Sequence, residues 1–163
     1  MLMKPIAKFV SLACLAGALA CAAAGSALAQ QAPKPEALIK WRQSAFQVVA
    51  WNSGRIKSSL DGSYDKEQVV KAATVIAAIA NSGLGGLFAP GTETGKGWHD
   101  TSVKAEVARN GARFAALGGD FAKESSELVR VASSGADAAA VKDQFGKLQH
   151  TCKSCHDDFR NAN

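Results

Sequence analysis

The residues best suited to chemistry lie at Cys152-Lys153-Ser154-Cys155-His156. Two thiols three positions apart, followed at once by an imidazole, form the attachment pattern of a c-type haem. On a helix, positions 152, 155 and 156 share one face, because residues three and four apart are neighbours. Two sulfurs there can each reach a vinyl group of one porphyrin, and a neutral nitrogen beside them can bind the iron. Other uses of these residues ask for more than the chain supplies. A thioredoxin-like pair wants a strand-rich βαβ context. A structural zinc site wants four ligands, yet past the leader described next the chain has only these two cysteines with His99, His150 and His156. A disulfide between the two thiols would close too short a loop to stabilise much. The spacing therefore predicts one haem c, held covalently by Cys152 and Cys155, with His156 as the metal ligand.

Thioether attachment belongs to an exported protein, and the N-terminus agrees. Residues 1–29 read as a signal peptide: Lys4 and Lys8 give a positive start, Phe9 to Ala24 is apolar, and Ala27-Leu28-Ala29 is a small-residue cleavage site. The apolar run is short and interrupted for a membrane anchor. Cys14 and Cys21 leave with the leader, as do Met1 and Met3, the only methionines. The expected product is a single domain, residues 30–163, in a bacterial periplasm, with no membrane association after cleavage. Loss of two lysines takes the formal charge from +5 to +3. No basic run or RNA-binding aromatic pattern is present, which argues against a nucleic-acid partner. Acidic redox partner proteins stay open on this charge.

The elements that must position the motif are helices. Pro35 suits a first helical turn, and apolar residues recur at 38, 45, 46, 49, 56 and 60. A second stripe, Trp41, Val48 and Trp51, lies on another face of this first helix and points to a partner helix, hence a homodimer. Asp61-Gly62-Ser63 ends the helix. Asp65 is expected to cap a second one, with Tyr64 stapled on Val69, and Val69, Ala72, Ala73, Ile76 and Ala80 inward. Asn81-Ser82-Gly83 stops it. Residues 83–102 form a long connection in which Phe88 and Trp98 can close over an apolar ligand edge. A third helix is predicted from Val103 to Ser134, with Val107, Gly111, Phe114, Gly118, Phe121, Ser125 and Leu128 on its seam. The two glycines there make sense if something bulky approaches closely. Gly135 stops this helix and Asp137 caps the next, whose seam runs Ala138, Val141, Phe145, Leu148, Cys152, Cys155 and Phe159. The cysteines thus continue a core stripe. The fold class is all-α, an antiparallel four-helix bundle.

Cys-x-x-Cys-His so late in such a bundle, followed by Asp157-Asp158-Phe159-Arg160, resembles the cytochrome c′ family. So do Lys34-Pro35-Glu36 through Arg42-Gln43-Ser44-Ala45-Phe46 and the loop Phe88-Ala89-Pro90-Gly91-Thr92-Glu93. The resemblance implies thioethers at Cys152 and Cys155 and a proximal bond from His156. It implies haem-propionate binding by Arg42 and Gln43, with Thr92 and Glu93 near the haem edge. It also implies a bulky apolar Phe46 above the distal face. Arg160, four residues past His156, can lay its guanidinium beside the imidazole and weaken that ligand's push on the iron.

A methionine sixth ligand is excluded by composition once the leader is gone. His150, six residues before His156 on the same helix, cannot reach the opposite haem face. His99, in the loop, leaves a six-coordinate electron shuttle as the alternative reading. The main reading is a five-coordinate, high-spin haem shielded by Phe46, serving electron transfer and the binding of NO and CO. Such an apolar distal patch has no donor to stabilise bound O₂. No catalytic triad or paired carboxylate site is visible, so an enzyme is not expected.

Overall fold

Helix α1 spans Pro35–Asp61 and opens on the expected proline. Its fixed φ suits a first turn, and its missing N–H would have had no helical partner there. The computed structural model describes residues 32–162, so the leader read at residues 1–29 lies outside the described residues. Helix α2 covers Lys66–Ala80, and the Asp65 carboxylate caps it by accepting the Gln68 N–H at 3.0 Å. A 3₁₀ turn, Leu84–Phe88, begins the long connection. Helix α3 is a single turn, Glu106–Arg109, before α4 at Gly111–Ser133. Gly135, at φ +87°, turns the chain back, and Asp137 caps α5, Ala138–Phe159, by accepting the Ala140 N–H at 2.8 Å.

The four long helices form the antiparallel bundle. Helix α1 packs on α2, α2 on α4, and α4 on α5. Their shared core is mostly aliphatic, with Val49 and Ile56 of α1, Val69 and Ile76 of α2, Leu128 of α4 and Leu148 of α5 around the single buried ring of Phe145. Tyr64, from the turn before α2, packs against this core. Burying one such side chain contributes roughly 1.5–3 kcal/mol. No helix among the described residues is long and apolar enough to cross a membrane.

Two expectations need correction. The predicted third helix, Val103 to Ser134, is broken. Asn110 leaves helical geometry at φ −125°, ψ 50° and returns its N–H to the Glu106 carbonyl, ending α3. Val103 is not helical at all, because it pairs antiparallel with Arg160. A tertiary backbone pairing outcompetes local helix propensity here. The α4 seam also shifts: Leu117, Ser125, Leu128 and Ala132 are buried, Phe114 and Phe121 half-buried. Gly111 and Gly118 are exposed, and a Cβ at either would meet nothing of the chain within 4 Å, so no neighbouring segment requires glycine there.

On α1 the inward stripe is Ile39, Arg42, Val49, Asn52, Ile56 and Ser59, half of it polar. Reading apolar period alone passes over the polar members. Each has a partner: Asn52 donates to the Val48 carbonyl at 2.9 Å and Ser59 Oγ accepts the Asp65 N–H at 2.8 Å. The second α1 stripe is exposed as expected, with Trp41, Val48 and Trp51 at 51%, 41% and 65% accessibility.

Candidate functional site

Helix α5 carries Val141, Phe145 and Leu148 into the core, and Cys152, Cys155 and Phe159 continue the same stripe. Both thiols are free and half-buried. Burial pushes the Cys152 thiol up, against smaller lowering from the Thr151 hydroxyl and a backbone hydrogen bond. Burial likewise raises Cys155, helped by Cys152 and Asp158 and opposed by Arg113. Burial is the largest cause lowering the His156 pKa, with the Arg160 charge adding to it and Asp157 opposing. The imidazole is therefore neutral near pH 7, the form that binds a metal.

The end of α5 is fastened by residues 101–104. Lys104 N–H donates to the Phe159 carbonyl at 2.9 Å, and Asn161 N–H donates to the Ser102 carbonyl at 2.8 Å. Lys104 Nζ adds a bond to the Asp157 carbonyl at 2.8 Å.

The other wall comes from α1 and the long connection. Arg42 is only 3% exposed. Its guanidinium donates to the Leu87 carbonyl, to the Thr92 hydroxyl and carbonyl, and to the Thr101 hydroxyl, at 2.8, 3.0, 2.9 and 2.8 Å. It also stacks on Phe88, with Cζ 4.6 Å from the ring centroid. Burial lowers its pKa and the nearby Glu93 charge offsets this, so it stays a cation. Buried Thr92 accepts the Arg42 bond and donates to the Ala89 carbonyl. Glu93 caps the turn by accepting the Gly91 N–H at 2.8 Å. Gln43 accepts from the Trp98 N–H at 2.7 Å and donates to the His99 carbonyl at 2.9 Å. That contact is close enough that a Cβ on Gly97 would lie 2.9 Å from Ile39 Cγ2 and 3.0 Å from Lys40 N. Only glycine fits.

A row of four phenylalanines crosses between these walls. Phe46 of α1 meets Phe88 edge-on at 6.3 Å between centroids, Phe88 meets Phe114 at 4.8 Å, and Phe114 meets Phe159 edge-on at 5.5 Å. Such tilted contacts are the favoured arrangement for aromatic rings. Phe88 and Phe114 line a mostly apolar cavity of about 240 Å³, with Thr92 and Glu93 at its polar side. A larger groove, about 670 Å³, runs between α4 and α5. It is lined by charges such as Arg113, Asp120, Glu124, Asp143 and Lys147, and by His150, Thr151 and Ser154 of α5. The smaller cavity lies where Thr92 and Glu93 meet the aromatic row.

The structure thus brings Arg42, Gln43, Thr92 and Glu93 together along one wall, and sets Phe46 in the aromatic row that ends beside the thiol stripe. It separates Trp98 from Phe88. Trp98 is 63% exposed, donates from Nε1 to the Ser44 hydroxyl and lies beneath Lys40. His99 is bound at Nδ1 to the Asp100 carbonyl, at 2.8 Å, and neighbours Gln43. Sequence reasoning missed Thr101 and the 101–104 fastening, which have no motif. It assigned Phe114 and Phe159 to core seams without foreseeing that they form a row.

The donor set suits a haem: two free thiols and a neutral imidazole on one helical face, an apolar aromatic flank, and a buried cation with polar neighbours suited to acidic groups. The profile of the cytochrome c′ family matches residues 37–160. The chain belongs to the cytochrome c′ family. A cytochrome c′ of Rhodocyclus tenuis is 59% identical over 128 residues, covering 78% of this chain and 96% of that one. A solved cytochrome c′ described as having an unusual ligand-controlled dimer dissociation is 42% identical, with TM-score 0.76, covering 80% of this chain and 98% of that one. A ferrous variant of Alcaligenes xylosoxidans cytochrome c′ with bound NO is 28% identical, with TM-score 0.70, covering 80% and 98%. Members of this family carry a covalent c-type haem and transfer electrons, and this chain is a haem-binding electron-transfer protein of that kind.

Proposed function

We propose that this cytochrome binds its haem through Cys152 and Cys155, with His156 as the single protein ligand to iron, and combines electron transfer with binding of NO and CO. The carrying observation is the placement of the alternatives to a sixth ligand. Past residue 3 there is no methionine. His150 lines the charged groove between α4 and α5, on the same helix as His156, and His99 is held beside α1 by Gln43 and Asp100. The residue that α1 contributes to the aromatic row is Phe46, which has no lone pair to offer. A haem held here supplies an iron that exchanges one electron and can take a small gas on its unliganded side. Arg42 brings a buried positive charge, and with Gln43, Thr92 and Glu93 it forms the wall offered to the haem's acidic groups. Phe46 keeps the gas side apolar, which favours uncharged diatomics over O₂. Arg160 tempers the basicity of His156. The NO-bound relative supports this reading.

The exposed stripe of Trp41, Val48 and Trp51 supports a homodimer through α1, as does the relative whose dimer responds to ligand. The basic apolar leader supports export to the periplasm, where redox partner proteins are met. No enzymatic step is assigned. The test is the optical spectrum of the ferrous haem-loaded protein with and without NO or CO. A high-spin spectrum that responds to both is expected; a sharp low-spin spectrum unchanged by either overturns the open-site reading. Repeating it with His99→Ala identifies His99 as sixth ligand if only the variant opens.

A further inference from the structure

The established bonds of Arg42 reach further than one wall. Its guanidinium ties Leu87 and Thr92, at the start of the long connection, to Thr101, near its end. Two residues hold no role in the haem reading yet sit at the joint: Thr101, whose hydroxyl takes the Arg42 bond at 2.8 Å, and Ser102, whose carbonyl takes the Asn161 N–H at 2.8 Å. The two residues that follow continue the fastening. Val103 pairs with Arg160, and Lys104 N–H reaches the Phe159 carbonyl. Arg160 N–H in turn donates to the His156 carbonyl at 3.0 Å. Hydrogen bonds joined by short stretches of backbone therefore lead from one buried cation on α1 to the last turn of α5.

We propose that Arg42 is a positioning residue for both walls of the haem site at once. It holds Thr92 directly. Through Thr101 and the strap 101–104 it also holds the turn of α5 that carries His156 and Arg160. The inference rests on the haem reading only for what the second wall does. The fastening itself belongs to the chain. Geometry favours an arginine for this task. A guanidinium presents a rigid fork to several acceptors at once, and an ammonium does not. The Thr101 hydroxyl is the branch point, because cutting it separates the strap from Arg42 while leaving the Thr92 bonds intact.

The experiment compares Thr101→Val, Thr92→Val and Arg42→Lys in the haem-loaded protein. Amide hydrogen exchange reads the strap at Lys104 and Asn161 and the loop at Thr92, whose N–H donates to the Ala89 carbonyl at 3.1 Å. Resonance Raman reads the iron–histidine stretch of the ferrous state. Thr101→Val should speed exchange at Lys104 and Asn161 by roughly tenfold and shift or broaden the stretch, leaving Thr92 unchanged. Thr92→Val should do the reverse, and Arg42→Lys should do both. A merely stabilising Arg42 would lower the melting temperature without separating the two sets. Unchanged strap exchange and an unchanged stretch in Thr101→Val overturn the proposal, whether or not Arg42→Lys folds. If no haem is retained, the haem reading fails, and the exchange pattern alone then decides the fastening.

Discussion

One half of this bundle is closed by aliphatic side chains, and the other is assembled from rings, a buried cation and an irregular connection. Ile56, Val69, Ile76, Leu128 and Val141 are fully buried, mostly helix against helix, with Tyr64 and Ala136 packing on from the turns. Around Cys152 and Phe46 the helices are bridged by Phe88 and Phe114 and by the segment that Arg42 gathers. The aliphatic half needs only volume and period, so many sequences would satisfy it. The aromatic half needs particular donors and acceptors at particular atoms, and it is there that a cofactor can be received.

Breaking this division is the clearest test of it. The largest effect is expected from replacing Cys152 and Cys155 together by alanine. Covalent haem should vanish, read as colour lost from the protein band after denaturing electrophoresis. Next comes Ile76→Ala in the opposite half. A fully buried isoleucine cut to alanine should cost about 2–5 kcal/mol in denaturant unfolding, with the ferrous spectrum unchanged. A spectral change there would mean that the halves are not separable. Phe46→Ala should leave stability less affected but alter NO or CO affinity by about tenfold or more, equivalent to ~1.4 kcal/mol, measured by gas titration. The smallest effect concerns Glu124, whose pKa is lowered chiefly by the Gln144 amide at 2.8 Å and secondarily by lysines. The folded state binds a proton there less readily than the unfolded chain does. Its stabilisation is therefore present above the ordinary value of 4.5 and is lost as pH falls through the lower folded value. Glu124→Gln should narrow the melting-temperature gap between pH 7 and pH 3.

How far the chain could be read follows the same division. The α5 stripe from Val141 to Phe159 was legible because apolar period and motif coincide on one face, and Asp65 and Asp137 announced their caps. On α1 the period misled slightly, since Arg42, Asn52 and Ser59 are buried among apolar residues and are satisfied by partners that pattern does not reveal. The broken third helix was hidden for another reason. Nothing near Val103 opposes helix; its pairing partner, Arg160, is remote in sequence. Arg42, Gln43, Thr92 and Glu93 were found only through family resemblance, because their common wall is made by bonds spanning dozens of residues.

The three tryptophans have an experimental consequence. Trp41 and Trp51 stand on the outer face of α1, and Trp98 leans over Ser44 beside them, so none lies in the aliphatic core. Intrinsic fluorescence of the folded chain therefore reports on its outer face, and a covalent haem would quench it until unfolding carries the indoles away. If copies pair through α1 as proposed, dilution that parts them should redden the emission while circular dichroism stays still.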